Sequence, residues 1–221
     1  MHPTPIKGAL LPTIVIALIT LLLSGCQAPR SYDYTNFRAH PPRSILVIPP
    51  LNESTDLGGT YGYLSTVSRP IAERGYYVFP VAVVDQFLKE NGMPTSGEMN
   101  QVPPRKIGEI TGADAVMFID LKQYGSKYVV LNSVTTVEVL AKLVDTRTGT
   151  LLWEGRGFAQ QSGNGSGSLL ADLIAAAVTQ ALNKTTDRAH KVSQVANATL
   201  FFPENTGLPY GPYSPKYQLE R

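Results

Sequence analysis

Cysteine is nearly absent from this chain, since Cys26 is the only one among 221 residues. A single thiol excludes a disulfide within one chain, and it excludes a metal site built from several cysteine ligands. Histidine is also scarce, and His2, His40 and His190 are widely separated along the chain. We therefore expect no histidine-dependent catalytic triad, and Cys26 needs a different explanation.

Charged residues make up only 16% of the chain, and neither sign dominates. The 19 basic and 17 acidic residues leave a formal net charge of +2, and the sequence contains no cluster of lysine or arginine. Proteins that bind nucleic acids use such clusters to contact phosphates. The composition therefore argues against a nucleic-acid partner.

The chain also lacks a hydrophobic run of transmembrane length. The longest run, residues 9–23, is mostly apolar and follows the positive charge of Lys7. A helix of this length spans only about 22 Å, against about 30 Å of bilayer hydrocarbon. A short apolar run behind a basic start is typical of a cleaved signal peptide rather than of a permanent membrane helix.

The run ends in Leu23, Ser24 and Gly25 directly before Cys26. This is the pattern that signal peptidase II recognises once the cysteine carries diacylglycerol. We predict a lipoprotein signal peptide over residues 1–25 and lipidation of Cys26, with the acyl chains holding the protein at a membrane. An ordinary secretory signal followed by an incidental cysteine is the alternative.

Composition divides the rest of the chain into three segments. Residues 26–43 are polar and proline-bearing, which predicts a lipidated tether, with packing of Tyr32, Tyr34 and Phe37 on the domain or on a partner as the alternative. Residues 44–202 carry apolar periodicity and are long enough for one domain. Residues 203–221 contain four prolines and three tyrosines, so we expect a separable tail without regular structure.

Apolar periodicity in the domain predicts the element order βα, βαα, βββ, α. We expect strands over residues 45–48, 76–79, 115–121, 137–143 and 151–158, and helices over residues 61–74, 81–90, 103–111 and 168–182. Pro70 should kink or divide the first helix, while Ile107 and Ile110 should both face inward. Residues 93–102 are predicted to be loop, and residues 125–133 a hairpin. The fold class that follows is mixed α/β, with a central mixed sheet of about five strands and helices packed on it.

The sequence contains only weak matches to catalytic or ligand-binding motifs. The glycine- and serine-rich segment 162–168 precedes a predicted helix and favours anions, but its glycine spacing does not match a nucleotide-binding loop. We interpret it as a flexible loop, with a phosphate site as the alternative. Asp114, Asp120 and Asp145 lie at strand ends or turns, where we expect them to bind backbone groups. The sequence predicts no catalytic residue, no metal site, no cofactor and no enzymatic activity.

Three tyrosines distinguish the C-terminal tail from an ordinary disordered end. Tyr210, Tyr213 and Tyr217 alternate with prolines in a segment that we expect to be extended. Aromatic side chains in such a segment supply rigid contact area at a low entropic cost. We interpret these tyrosines as candidate contacts to a partner, with a disordered end as the alternative.

Several segments together resemble a known family. They are the leader with its cysteine, SILVIPPLNEST, IGEITGADAVMFIDL, VLAKLVDTRTGTLLWEG and LPYGPYSPKY. Over nearly the whole chain they are similar to the neisserial genome-derived antigen lipoproteins, whose function is unknown. A more distant resemblance is to the TolB amino-terminal domain and the curli-secretion lipoprotein CsgG, although this chain lacks an evident long pore-forming segment.

The resemblance implies a mixed α/β periplasmic domain anchored by lipid in the outer membrane. Gln27, rather than an aspartate, follows the cysteine, which resembles lipoproteins that are released to the outer membrane. It also implies a homodimer or homo-oligomer that works with other envelope or secretion proteins. We expect a non-enzymatic accessory or scaffold in cell-envelope assembly or transport. The alternative is a periplasmic lipoprotein that binds a small anion or lipid.

Replacement of the single cysteine tests the anchor. Cys26→Ser should abolish acyl-chain labelling and leave an uncleaved precursor, because the peptidase requires the lipid-modified thiol. Metabolic labelling with a fatty acid and immunoblotting of the precursor measure both effects. Normal processing of this variant would contradict the prediction.

Overall fold

The computed structural model describes residues 31–129, 132–162 and 188–217, which form a mixed sheet with helices packed on both faces. The described helices are α1 (Thr35–Ala39), α2 (Gly59–Glu73), α3 (Val81–Glu90), α4 (Ser96–Met99), α5 (Pro104–Thr111) and α6 (Arg188–Phe201). The strands are β1 (Ser44–Val47), β2 (Leu51–Asn52), β3 (Tyr77–Val78), β4 (Ala115–Gln123), β5 (Ser126–Val129), β6 (Asn132–Asp145) and β7 (Leu151–Ser162).

Some predictions fall outside these residues. Cys26 and its recognition residues Leu23, Ser24 and Gly25 do so, as do most of the 162–168 segment and the helix predicted over 168–182. The described structure therefore does not test these predictions.

The sheet has the strand order β3-β1-β4-β6-β5, with β2 also paired to β4 and β7 also paired to β6. β1 runs parallel to β3 and β4, and β2 runs parallel to β4. The pairs that β6 makes with β4, β5 and β7 are antiparallel. The mixed α/β class is confirmed. The sheet has seven described strands rather than about five, because a two-residue strand such as β2 is too short to show a period.

β1 is buried on both faces, as its continuous apolar run predicts. Ile45 and Val47 pack into a first core with residues of α2, α6 and the antiparallel strands. Leu46 and Ile48 point to the opposite face and pack into a second core with residues of α3, α4 and α5. All four side chains are at most 1% exposed. The alternation of strand side chains therefore divides the apolar interior into two cores.

Pro70 lies inside α2, which continues through it rather than being divided there. Proline has no N–H to donate to the carbonyl of Thr66 one turn earlier. The side-chain amide of Asn197 on α6 donates to that carbonyl at 3.1 Å and to the Thr66 hydroxyl at 2.9 Å. The Tyr63 hydroxyl donates to the Asn197 carbonyl oxygen, and burial raises the pKa of Tyr63. A buried side chain from a distant helix thus satisfies the group that proline leaves free.

The helices that cover the second core agree with the predictions except at two points. α3 spans the predicted residues 81–90. The expected loop over 93–102 is wrong, because Thr95 and Glu98 form a reciprocal capping box that starts α4. The expected inward orientation of Ile110 is also wrong. Ile107 is 3% exposed, but Ile110 is 55% exposed, since α5 buries only a narrow stripe against the sheet.

The long β6–β7 hairpin confirms the predicted turn at residues 145–149. Gly149 has a φ of 74°, a left-handed conformation that glycine adopts without strain. The two strands pair from Val144 and Leu151 at the turn to Val134 and Ser162 at the far end.

The structure differs from the sequence-based division at both ends of the domain. Phe37, in the expected tether, is 5% exposed and packs into the first core. Leu208, in the expected tail, is fully buried in the same core. The indole N–H of Trp153 donates to the carbonyl of Thr206 at 3.0 Å. The tail has no α-helix or strand among residues 203–217, as predicted, but these residues pack as part of the domain.

The burial of Leu208 predicts that the C-terminal segment stabilises the fold. Leu208→Ala should lower the free energy of unfolding by about 3 kcal/mol, because it leaves a cavity in a packed core. Urea unfolding can be followed by the fluorescence of Trp153, the only tryptophan in the chain. Leu57→Ala is the matched control, since Leu57 is 96% exposed and its truncation should have little effect. Equal stability of the two variants would show that the segment is separable.

Candidate functional site

The end of α2 places Arg74 against the C-terminal segment. The Arg74 carbonyl accepts a hydrogen bond from Gly211 N–H at 2.7 Å, and the Gly75 carbonyl accepts one from Tyr213 N–H at 3.0 Å. Gly75 has a φ of 89°, and a Cβ there would lie 2.3 Å from the backbone nitrogen of Ser214. Glycine is therefore required for this close approach of the two chain segments.

The guanidinium of Arg74 contacts two aromatic rings. Its central carbon lies 4.4 Å from the ring centroid of Tyr210 and 5.3 Å from that of Phe202. Such contacts are attractive by about 0.5–2 kcal/mol, and the larger values apply to desolvated groups. Arg74 is 5% exposed, so the rings stabilise a charge that is largely removed from water.

Arg74 has no carboxylate partner among the described residues. Its Nε is buried without a hydrogen-bond acceptor in that part of the chain. The neighbouring acid, Glu73, instead pairs with Arg69 at 2.8 Å. An unsatisfied buried donor costs about 1–3 kcal/mol, and buried charges in proteins are usually paired. Among the described side chains, Arg74 is therefore the one with a buried donor that lacks a hydrogen-bond partner.

Arg74 lines a cavity of about 460 Å³ between α1, the end of α2 and the C-terminal segment. Its walls are largely aromatic and apolar and include Tyr34, Phe37, Leu208, Tyr210 and Tyr217. Arg38 contributes a second cation to the lining, and Glu204 contributes an acid. A volume of this size and a lining with few polar groups are typical of small-molecule sites. We call this space the Arg74 cavity.

The structure brings together two of the three tyrosines that the sequence indicates as partner contacts. Tyr210 and Tyr217 line the Arg74 cavity, whereas the side chain of Tyr213 is outside its lining and is 66% exposed. Their role as partner contacts stays a prediction. The sequence analysis missed Arg74 and Phe202, because neither belongs to a local motif and their meeting depends on how the C-terminal segment folds back.

A second concave surface lies over the second core, between α3 and α5. It encloses about 560 Å³ and is lined mainly by apolar side chains, among them Phe79, Val83, Phe87, Val102 and Ile110. Val83 and Ile110 on its rim are 64% and 55% exposed. We call it the α3–α5 groove. Exposed apolar surface of this kind marks contact sites for proteins or lipids.

The acidic residues at strand ends bind backbone groups, as the sequence analysis expects. Asp114 accepts hydrogen bonds from the backbone N–H groups of Arg43 at 2.9 Å and Ser44 at 3.1 Å. Asp145 is 1% exposed and accepts from the N–H groups of Arg147 at 3.0 Å and Thr148 at 2.7 Å. These carboxylates hold the ends of β1 and the β6–β7 turn in place.

Burial and hydrogen bonding act in opposite directions on Asp145. Burial raises the pKa of its carboxyl group, but the bonds from Thr148 and Arg147 outweigh that effect, and the net pKa lies below the usual value. Its charged form is therefore favoured in the folded protein.

The expected position of the third acid, Asp120, at a strand end or turn is wrong, because β4 continues to Gln123 and Asp120 lies within it, opposite Leu140 of β6 and Leu51 of β2. The described residues contain no group of three or more histidine, cysteine or acidic side chains that could hold a metal ion. Within the same residues, no helix combines the length and hydrophobicity needed to cross a membrane.

Comparisons with known proteins agree with the resemblance seen in the sequence. A family model described as "Putative lipoprotein GNA1162-like" matches residues 32–213. The chain is 43% identical over 205 residues to "Putative lipoprotein NMB1124/NMB1162" of Neisseria meningitidis serogroup B, which covers 91% of this chain and 95% of that protein. The crystal structure of lipoprotein GNA1162 from Neisseria meningitidis is 47% identical and superposes with a TM-score of 0.56, covering 65% of this chain and 100% of that chain.

The lowered pKa of Asp145 predicts how stability depends on pH. Asp145→Asn should lower the free energy of unfolding by about 1–2 kcal/mol at pH 7, because the charge-assisted hydrogen bonds weaken. The contribution of Asp145 is complete above the pKa of the unfolded chain, about 3.9, and is lost as the pH falls through the lower pKa of the folded state. The difference between wild type and variant should therefore shrink on acidification.

Urea unfolding at a series of pH values measures this difference. Glu109→Gln is the matched control, because Glu109 is exposed and pairs only with Arg105 on the same face of α5. A difference for Asp145→Asn that does not change between pH 7 and pH 2 would contradict the electrostatic explanation.

Proposed function

This chain belongs to the GNA1162-like lipoprotein family, and from that premise we propose a non-enzymatic role as an accessory or scaffold in cell-envelope assembly or transport. Membership in a lipoprotein family supports anchoring to a membrane of the cell envelope. The finer location that we propose is the outer membrane, with the domain facing the periplasm. The protein then acts by contacting other macromolecules close to the bilayer.

The length of chain behind the predicted anchor supports this mode of action. Tyr32 already packs on the domain, since its backbone N–H donates to the carbonyl of Asn205 at 2.8 Å. Only six residue steps separate it from Cys26, and a fully extended chain of that length reaches about 20 Å. Acyl chains on Cys26 would therefore confine the domain to the neighbourhood of the membrane.

The observation that carries the scaffold role is the α3–α5 groove. Its apolar rim residues Val83 and Ile110 are more than half exposed although the groove floor belongs to the second core. Leaving such side chains in water forgoes the free energy of their burial, about 25 cal/mol for each Å² of apolar surface. A partner that covers the groove would recover this energy.

We assign a second copy of the chain as the partner at this surface. Val83 on α3 and Ile110 on α5 are exposed beside the groove, so the same patch contains exposed apolar side chains and a concave apolar surface. A twofold axis places identical patches face to face, which allows these side chains to enter the groove of the other copy. This arrangement also fits the self-association that the family resemblance implies.

A second candidate function is the binding of a small anion or lipid by an anchored periplasmic protein. The Arg74 cavity favours it, because this space combines apolar walls with a buried cation that pairs with no acid among the described residues. The two functions use different surfaces, so they can be tested separately.

Charges placed on the groove rim should prevent self-association. The double variant Val83→Asp, Ile110→Asp should weaken dimerisation at least about tenfold, because each carboxylate would have to be desolvated in an apolar contact. Sedimentation of the protein purified from membranes in detergent measures the oligomeric state. Leu57→Asp is the matched control, because Leu57 is more exposed than either rim residue and lies outside the groove.

Crosslinking in intact cells provides the second measurement. A photoreactive phenylalanine analogue in place of Val83 should give a product of twice the monomer mass, whereas the same analogue in place of Leu57 should not. Mass spectrometry then identifies every protein captured at position 83. A monomeric wild type without products at that position would refute the contact, and capture of a different envelope protein alone would replace the second copy as the partner.

A further inference from the structure

We infer that the Arg74 cavity binds a small organic carboxylate that carries an apolar or aromatic body. This inference rests on the second candidate function and names the class of its ligand. The argument starts from charge, because Arg74 is 95% buried and pairs with no acid in the described part of the chain. Arg38 adds a second positive charge to the lining, and Glu204 is the only acid among the described residues that line it. The described lining therefore presents net positive charge to an anion that enters the cavity.

The way in which Arg74 is held favours a planar anion. Tyr210 and Phe202 hold the guanidinium through cation–π contacts rather than through acceptors for its N–H groups. The buried Nε donor has no acceptor among the described residues. A carboxylate binds a guanidinium with two parallel hydrogen bonds. Such a pair would give Arg74 the anionic partner that the described residues do not supply.

The remainder of the lining favours a carboxylate over a phosphate. A doubly charged phosphate is usually held by several donors, such as backbone N–H groups at a helix start or a cluster of cations. Here one buried guanidinium is present, and a second negative charge would face Glu204 on the same cavity. The hydroxyl of Tyr34 is already used, since it donates to the carbonyl of Gly207 at 2.6 Å.

The apolar walls of the cavity favour a carboxylate that is attached to an apolar or aromatic group. Phe37 and Leu208 are at most 5% exposed, and prolines 41 and 209 complete an apolar lining beside them. Removal of apolar surface from water at these walls adds affinity that a small hydrophilic acid cannot gain. A cavity of about 460 Å³ has room for a single aromatic ring with a short side chain.

Binding of 3-phenylpropionate to the protein purified from membranes in detergent tests this inference. We expect saturable binding in isothermal titration after subtraction of a detergent-only titration. The uncharged analogue 3-phenylpropanol should bind at least about tenfold more weakly, because it cannot accept the paired hydrogen bonds. Arg74→Gln should weaken 3-phenylpropionate binding by a similar factor, while Arg105→Gln, which removes an exposed arginine outside the cavity lining, should change it less than about threefold.

A spectroscopic measurement keeps the test valid if Arg74→Gln does not fold. The Nε–H resonance of Arg74, identified by its absence in Arg74→Lys, should shift in the wild-type protein on addition of 3-phenylpropionate and not on addition of 3-phenylpropanol. Binding of inorganic phosphate that depends on Arg74, without binding of 3-phenylpropionate, would overturn the carboxylate class and leave the ligand-binding function standing. No shift and no heat with either anion would overturn both, and the scaffold proposal would be unaffected.

Discussion

The burial of β1 on both faces is the constraint on which the rest of the structure depends. Ile45 and Val47 require a cover on one side of the sheet, and Leu46 and Ile48 require one on the other. The chain provides α2 and α6 for the first face and α3, α4 and α5 for the second. Both candidate sites lie at the edges of these two helical layers, beside the helices that pack on the sheet.

The Arg74 cavity and the α3–α5 groove differ in chemistry because different chain segments border them. The first is closed by residues 203–217, which place Leu208 in the core and Tyr210 against Arg74. The result is a cavity with a buried positive charge. The second is bordered mainly by α3 and α5, and no further described segment covers Val83 and Ile110. The result is an open apolar groove. A cavity with a buried charge and apolar walls suits a small charged ligand with an apolar body, whereas an open groove suits a macromolecule.

Stability and function compete at Arg74 in a way that they do not at Asp145. Both groups are almost completely buried. Asp145 receives hydrogen bonds from the turn that it stabilises, so its burial serves the fold. Arg74 receives aromatic contacts but no acceptor for Nε among the described residues, so part of its desolvation is not compensated. A buried donor without a partner in the described structure, beside a cavity, marks a candidate ligand site.

The sequence could predict the features that depend on neighbouring residues. The apolar run of β1, the span of α3 and the turn that ends in Gly149 all follow from short-range patterns, and the structure agrees with them. The lipid attachment at Cys26 is likewise a local motif and stays a prediction from sequence. α4 was locally encoded as well, by the capping box of Thr95 and Glu98, and was overlooked.

Local pattern could not predict how distant segments meet. An apolar period cannot distinguish Ile107, which is buried, from Ile110, which borders the groove, because the period does not state how wide the covered stripe is. It also cannot show that Asn197 satisfies the carbonyl left free by Pro70, or that Tyr210 stacks on Arg74. By itself, then, the sequence determined the mixed α/β class and most of the helices and strands of this protein, and it predicts the lipid anchor at Cys26. Only the tertiary structure decided where its charge is buried and its apolar surface exposed, because burial depends on segments that lie far apart in the chain.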